Sequence, residues 1–320
     1  MKRFFILASA AIVALASCAK TEVRYDNAEP QEIAFKQITG ALTKAPVDMD
    51  HAVDMGVFAH TVAPTPAEYF GNTRFAFSTD AWKATPALYY PIQGELDFAY
   101  YSPYADGWTW NGSTSLESPA LTDIANTDVL YGQNIKRSSK TSTPLSVVLG
   151  HALAKVTINV LTDDNSAGHI KITSVKLSNT YLGGKLQVTY ASSALSDVVW
   201  SNTTQTDVSL TGSISLATAP QVFGTSFIIA EYDTAKAGTE YEQGTLTVGY
   251  TMDIDGAGAG TKEYSGEATF DLSPDGGPKA YWYVGNNYIY NIKATLTEIT
   301  FAPQVEPMVD TNFSTDPVVL

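Results

Sequence analysis

The chain has 320 residues, a formal net charge of −14, one cysteine and 18 tyrosines. This length predicts two domains or one large β-domain, and 44% hydrophobic residues exclude a wholly disordered chain. The excess of 33 acidic over 19 basic side chains argues against nucleic-acid binding. A single cysteine excludes an internal disulfide framework and any cysteine-based zinc site.

The first residues have the composition of an export signal. Lys2 and Arg3 precede an apolar run, residues 4–16, that is too short to cross a bilayer as a helix. The following Leu15-Ala16-Ser17-Cys18 resembles the bacterial lipobox, in which a peptidase cuts before the cysteine and the thiol receives a lipid. Residues 1–17 are therefore predicted to be a lipoprotein signal peptide, and Cys18 to carry the acyl chains that anchor the precursor. The alternative is an ordinary signal peptide with an incidental cysteine.

One strand is predicted ahead of the main body. Residues 18–45 begin as a polar tether, after which Glu32–Ile38 alternates polar and apolar side chains. This period is typical of a strand with one buried face, which Ile33, Phe35 and Ile38 would form. The chain then turns polar again, so the predicted strand is isolated between two linkers.

From residue 46 onward the chain is a succession of short β-like runs separated by glycine and proline. Lys155–Val160 alternates cleanly, Tyr288–Ile299 is predicted as one long strand, and Asp253–Gly260 as the tip of a hairpin. The polar cluster Thr162–Gly168 is the strongest break. The pattern predicts an all-β protein with two β-sandwich domains. Their predicted bounds are residues 46–162 and 163–302, with a C-terminal tail at 303–320.

Motifs for catalysis and metal binding are absent from the sequence. The four histidines form no zinc-binding spacing, and no nucleophile elbow, P-loop or dinucleotide fingerprint is present. Asp253-x-Asp255-Gly256 resembles the start of a calcium loop, but the remaining ligand positions are missing and a turn is favoured. His151 is predicted to be hydrogen-bonded at a strand entry. We therefore predict no enzymatic activity, no cofactor and no metal.

Aromatic side chains cluster at residues 100–110. Exposed, Tyr104, Trp108 and Trp110 could stack on sugar rings and bind a glycan. The favoured interpretation is that the cluster contributes to the core and caps a loop.

Several segments together resemble the fimbrillin-like lipoproteins of Bacteroidales, the type V pilins. They keep their order over nearly the whole chain, and Leu149–Val156 is the most specific. The other segments are Leu15–Cys18, Glu32–Ile38, Thr43–Ala45, Met55–Ala59, Tyr89–Pro91, Leu96–Pro103, Asp128–Gly132 and Asn287–Ile292.

The resemblance implies two tandem transthyretin-like β-sandwich domains. It also implies subunits that are exported as lipoproteins, cleaved by a trypsin-like surface protease and polymerised by strand exchange. Lys44-Ala45 matches the cleavage position, with lysine in place of the arginine of the best-known members. Cleavage there would remove the strand that carries Ile33, Phe35 and Ile38. The donor would be a neighbour's C-terminal tail, with Phe301, Val318, Val319 and Leu320 as apolar residues and prolines that keep the tail from pairing within its own subunit.

Three roles within the family are open: stalk subunit, tip adhesin and membrane anchor. The implied partners are other pilin subunits, the surface protease, the outer membrane through the lipid, and a host glycan or protein. The implied location is the outer membrane for the precursor and the fimbrium at the cell surface for the mature subunit. The alternative from another class is a surface glycan-binding lipoprotein that uses the aromatic cluster.

Overall fold

Strands and one 3-10 turn make up the regular structure of the described part of the chain. The computed structural model describes residues 29–37, 53–62, 66–79, 81–134, 141–191, 194–230, 244–253, 263–271 and 282–307. Contacts divide the chain into Met1–Pro30 and a compact unit, Gln31–Leu320. In the first unit only residues 29 and 30 are described, and all strands belong to the second.

The largest sheet has eight strands. They are β1 (Ala34–Gln37), β2 (Met55–Thr61), β3 (Ala67–Ser78), β4 (Ala81–Ala84), β5 (Leu96–Ser102), β8 (Leu130–Asn134), β9 (Leu145–Val147) and β10 (Gly150–His151). Their order in the sheet is β10-β8-β5-β2-β3-β4-β1-β9, so β1 lies one strand in from an edge, between β4 and the edge strand β9.

Three four-stranded sheets complete the fold. The first is β14-β13-β7-β6, from β6 (Thr109–Trp110), β7 (Ser115–Leu121), β13 (Tyr181–Ala191) and β14 (Ala194–Gln205). The second is β16-β11-β19-β20, from β11 (Ala154–Leu161), β16 (Gln221–Ile228), β19 (Asn286–Ala294) and β20 (Ile299–Pro307). The third is β15-β12-β17-β18, from β12 (Ile170–Ser178), β15 (Val208–Ser215), β17 (Thr245–Asp253) and β18 (Glu263–Asp271). Within the described ranges, one 3-10 turn is present, Ile124–Asn126. The all-β prediction is confirmed.

The alternation in Lys155–Val160 becomes a central strand. In β11, Val156, Ile158 and Val160 are fully buried, while Lys155 and Asn159 on the other face are half-buried. This period of two is what a strand with one core-facing side requires. The apolar face thereby fixes the register of β11.

The sheets do not follow the predicted division at residue 162. β11 lies before that point, yet it pairs antiparallel with β16 and parallel with β19. β7 likewise pairs with β13. The polar cluster 162–168 does end a strand, but ladder partners are chosen by which apolar faces can be buried together. A linear cut at this break therefore separates strands that share hydrogen bonds.

Two other local predictions have different outcomes. The predicted long strand Tyr288–Ile299 is two strands, β19 and β20, because Thr295 caps a turn between them. Its hydroxyl accepts from the Glu298 N–H (3.1 Å), and its N–H donates to the Glu298 carbonyl (2.7 Å). The predicted hairpin is confirmed, since β17 and β18 pair from Thr245↔Asp271 to Asp253↔Glu263. The tip of that hairpin lies outside the described residues.

Two hydrophobic clusters fill the fold. The first lies inside the eight-stranded sheet and takes residues from strands along nearly its full width, including Leu130 of β8 and Val147 of β9. The sheet therefore curls, and a Cβ at Gly132 would collide with the Tyr100 ring and the Val148 carbonyl. The second cluster joins the outer face of this sheet to the three smaller sheets.

Candidate functional site

β1 sits between two strands that do not pair with each other among the described residues. On one side it runs antiparallel to β4, with Ala34 opposite Lys83 and Phe35 opposite Trp82. On the other it runs parallel to β9, with Phe35 opposite Leu145 and on to Gln37 opposite Val147. We call the space between β4 and β9, with residues 88–90 at its end, the β1 groove.

The residues just before β1 extend this pairing. The Ile33 N–H donates to the Leu88 carbonyl at 2.7 Å, and the Tyr90 N–H donates to the Gln31 carbonyl at 2.9 Å. Glu32 forms an isolated bridge with Tyr89. Backbone hydrogen bonds therefore hold the segment 31–37 along its length. Such bonds depend little on side-chain identity.

Two side chains of this segment are buried in the hydrophobic core of the large sheet. Ile33 and Phe35 are both 0% exposed and belong to its hydrophobic cluster. The Phe35 ring meets Phe75 and Phe98 edge-on, each with a centroid distance of 5.3 Å, and lies 6.1 Å from Tyr100. These contacts form an aromatic pocket of the geometry that ring quadrupoles favour. The sequence prediction that Ile33 and Phe35 share a buried face agrees with this arrangement.

One ion pair marks the outer rim of the groove. The Lys83 ammonium lies 2.9 Å from a Glu32 carboxylate oxygen. Both side chains are partly exposed, so the pair adds at most about 1 kcal/mol to stability. The acidic side chain at position 32 is thus matched by a cation on β4, which a basic side chain there would not be.

Removal of β1 would leave an unfilled site of defined shape. β4 and β9 would face each other across two strand spacings, about 9.5 Å, with unpaired N–H and C=O groups on both edges. The pockets of Ile33 and Phe35 would open to water. Such a groove binds an extended peptide by strand addition, in which backbone bonds supply affinity and the pockets supply specificity.

The other predicted residues of the processing region are not described. Cys18, Ile38, Lys44 and Ala45 all lie outside the described residues. Lys83, Trp82 and residues 88–90, which form the groove wall, were not predicted from the sequence. Residues 87–90 form one of the short β-like runs of the sequence, and Tyr89–Pro91 is part of the family resemblance, but neither signal indicated a groove.

The C-terminal segment pairs within its own subunit, although its prolines led us to predict that it would not. Ile299–Pro307 pairs with β19 over its whole length, with Phe301 opposite Ile292 and Pro303 opposite Tyr290. The prediction that prolines would keep this part from pairing within its own subunit is wrong. The reason is that β20 is an edge strand, where a missing N–H can point away from the ladder. Val318, Val319 and Leu320 lie outside the described residues.

The aromatic cluster is largely core. Trp108 is 4% exposed and stacks on Tyr101 with a centroid distance of 3.9 Å, and Trp110 is 7% exposed and packs edge-on against His60. Tyr104 is half-buried, and its hydroxyl donates to Asp106 Oδ1 at 2.9 Å. The glycan-stacking prediction is therefore wrong for both tryptophans, because their faces are already covered by protein. The favoured interpretation, core plus a capped loop, agrees with the structure.

Several tyrosines of the large sheet are buried. Burial raises the pKa of Tyr100, whose hydroxyl donates to the Val148 carbonyl at 3.4 Å. Burial also raises the pKa of Tyr101 to about 12 and that of Tyr131 to about 12. These hydroxyls are therefore neutral hydrogen-bond donors near neutral pH. His151 is 4% exposed, and its Nδ1 lies 2.7 Å from Asp128 Oδ2, in line with the predicted hydrogen-bonded role at a strand entry.

Among the described residues, no helix has the length and apolarity needed to span a bilayer. No group of three or more acidic, histidine or cysteine side chains within them is placed to hold a metal ion.

The fold and the groove define a β-protein whose largest sheet is completed by a short segment from the N-terminal side of the chain. The chain belongs to the fimbrillin-like family, whose model matches residues 36–307. It is thus a fimbrial structural protein of the cell surface and not an enzyme. No curated protein matches the sequence.

Solved structures are similar in fold. A proposed cell-adhesion protein of Bacteroides uniformis has a TM-score of 0.55 at 17% identity, covering 86% of this chain and 98% of that one. A fimbrial protein of Bacteroides vulgatus has a TM-score of 0.54 at 15% identity, covering 79% and 92%. The tip fimbrial protein Mfa3 of Porphyromonas gingivalis has a TM-score of 0.46 at 12% identity, covering 87% and 99%.

Proposed function

We propose that this protein is a fimbrial subunit that assembles by donor-strand exchange, as a stalk or accessory subunit supporting cell adhesion. The observation that carries the proposal is the position of β1. A short segment on the N-terminal side, β1 with the residues just before it, links the edge strand β9 to the rest of an eight-stranded sheet, and its Ile33 and Phe35 are fully buried. A segment so placed keeps the groove closed until it is removed.

In this proposal the precursor is a lipoprotein held at the outer membrane by acyl chains on Cys18. A trypsin-like surface protease then cuts between Lys44 and Ala45, in the connection between β1 and β2. The cut would separate both β1 and the lipid anchor from the rest of the chain. The subunit would then be released and ready to accept a strand.

Cleavage alone does not empty the groove. Segment 31–37 is held by ladders on both sides and by two buried side chains, so it leaves slowly unless another strand replaces it. The replacement we propose is the C-terminal part of a neighbouring subunit, where Phe301 and the terminal Val318, Val319 and Leu320 supply apolar residues. Exchange conserves the backbone hydrogen bonds of the sheet.

The test compares the natural precursor, residues 18–320, with Lys44→Gln. Both are treated with trypsin under native conditions, and products are followed by intact mass, size exclusion with light scattering, and electron microscopy. The natural chain should be cut after Lys44 and form complexes, whereas Lys44→Gln should resist the cut at that bond and stay monomeric. If the natural chain is cut and stays monomeric at every concentration, the assembly proposal fails.

The mature N-terminus on cells distinguishes the roles. A chain beginning at Ala45 would be a polymerising subunit, whether stalk or tip. An acylated Cys18 at the N-terminus of the mature fimbrium would instead indicate an anchor. We do not propose glycan binding as a function, since Trp108 and Trp110 are buried and their rings cannot stack on a sugar.

A further inference from the structure

The β1 groove contacts the side chains of its occupant at four successive positions, 32 to 35, each with its own chemical requirement. Position 32 places an acid beside Lys83, and position 33 places a branched apolar side chain at a site with 0% exposure. Position 34 is 6% exposed and holds only an alanine. Position 35 fills the pocket of Phe75, Phe98 and Tyr100 with a phenylalanine ring.

The same pattern occurs once more in the sequence. Glu32-Ile33-Ala34-Phe35 is matched by Glu298-Ile299-Thr300-Phe301, and Glu-Ile-x-Phe occurs nowhere else in the chain. Three of the four residues are identical, and the fourth differs by a small β-branched residue in place of alanine. The second copy of the pattern stands at the start of β20.

We infer that Glu298–Phe301 of a second copy of this chain is the segment that fills the β1 groove, in the register of Glu32–Phe35. Ile299 takes the site of Ile33, Phe301 takes the pocket of Phe35, and Glu298 pairs with Lys83. This inference rests on the proposed strand exchange and specifies its donor. The donor runs antiparallel to β4 and parallel to β9, as β1 does.

β20 lies at the edge of its sheet, where it can leave its own subunit and enter the groove of a second copy. Among the described residues its ladder partner is β19 alone, and Pro303 and Pro307 bring no N–H to that ladder. Thr300, Ala302 and Gln304 are exposed, and Ile299 is only half-buried. In the groove the same segment would have a strand on each side, and Ile299 would reach the full burial of Ile33. The exchange therefore replaces one neighbouring strand with two.

A second segment carries a looser form of the pattern. Asp310-Thr311-Asn312-Phe313 keeps the acid and the phenylalanine. It would place a threonine hydroxyl at the fully buried position 33, where the first segment has an isoleucine, and an asparagine at position 34, where the first segment has the smaller Thr300. Burial of polar groups without partners is unfavourable, so this segment fits the groove less well.

The test uses two fluorescent peptides from the chain itself, residues 297–307 and 308–320. Each is added in excess to the full-length precursor that has been cut after Lys44. Anisotropy reports peptide binding, and intact mass reports release of the fragment that carries β1. We expect peptide 297–307 to bind and release that fragment, and to bind more tightly than peptide 308–320.

Variants test the register. Phe301→Ala in the peptide should weaken binding by about a hundredfold, because the aromatic pocket would be left empty. Glu306→Lys, which changes an acid outside the pattern, is the matched control and should bind within about threefold of the natural peptide. Lys83→Glu in the acceptor should weaken the natural peptide several-fold, and Glu298→Lys in the peptide should restore it.

Complex formation by the full-length chain is a second test of the donor segment. Phe301→Ala should abolish complex formation and Phe313→Ala should leave it intact, with near-ultraviolet circular dichroism showing that both monomers are folded. Should Phe301→Ala fail to fold, the peptide comparison still decides the question.

The outcomes separate the inference from the proposal beneath it. Tighter binding of peptide 297–307, with the Phe301→Ala loss, supports the inference. Tighter binding of peptide 308–320, or equal binding of natural and Phe301→Ala peptides, overturns the inference while strand exchange survives. If neither peptide binds and the cut chain forms no complexes, both are overturned.

Discussion

At the scale of single residues, Phe35 connects the large sheet to the proposed function. Its ring is 0% exposed and touches three other aromatic rings, so its loss creates a cavity. We expect Phe35→Ala to lower the free energy of unfolding of the uncut precursor by about 3–5 kcal/mol. Urea denaturation followed by fluorescence measures this change.

The control for that change is the next residue. Lys36 is exposed, so Lys36→Ala should alter the free energy of unfolding by no more than about 0.5 kcal/mol. Equal effects for the two variants would show that Phe35 does not fill a core pocket in solution.

Buried tyrosines limit the stability of the folded protein at alkaline pH. Burial raises the pKa of Tyr101 and Tyr131 to about 12 in the folded state, against about 10 in an unfolded chain. Because the folded pKa is the higher one, this contribution to stability is complete below pH 10 and is lost as pH rises from 10 to 12. Absorbance at 295 nm should show these phenols ionising together with unfolding, whereas ionisation at a normal pKa in the folded protein would contradict their burial.

At the scale of elements, β1 is the strand whose neighbours depend on it most. It is the ladder partner of β4 on one side and β9 on the other, and β9 has no other ladder partner among the described residues. When β1 is released after cleavage, we expect fast amide exchange in β4 and β9. Hydrogen exchange with mass spectrometry measures this.

Strands of the β11 sheet supply the control for that measurement. β11 lies between β16 and β19 in a different sheet from β1, so its amides should stay protected when β1 leaves. Loss of protection in both places would mean that β1 supports the whole fold and that its removal unfolds the subunit. No empty groove would then be available to a donor.

At the scale of the whole molecule, the two predicted halves share sheets. β7 pairs with β13, and β11 pairs with β16 and β19, so both ladders cross residue 162. We expect fragments 46–162 and 163–320 to stay unfolded when each is expressed alone, because each exposes unpaired edges and part of the shared cluster. Circular dichroism and thermal melting of each fragment, with the intact chain as reference, test this, and a cooperative transition in either fragment would restore the linear division.

Sequence reasoning succeeded where local pattern and burial coincide. Val156, Ile158 and Val160 alternate because β11 has one core face, and Ile33 and Phe35 alternate for the same reason. It failed for β3 and β14, which were not predicted, and the burial of β3 follows no period of two. It also failed at Thr295, whose hydroxyl donates to the Glu298 carbonyl and accepts from the N–H groups of Thr297 and Glu298, making a turn inside the segment predicted as one long strand.

Periodicity, turn residues and ordered segments are local features, and they were enough to predict the all-β class, the family and a separate strand near the N-terminal side. The folded chain was needed to learn that β1 lies between β4 and β9, that Trp108 and Trp110 are core, and that β20 pairs with β19. A period of two specifies a buried face but not what covers it. The partner is chosen by long-range competition among all the faces and edges of the chain.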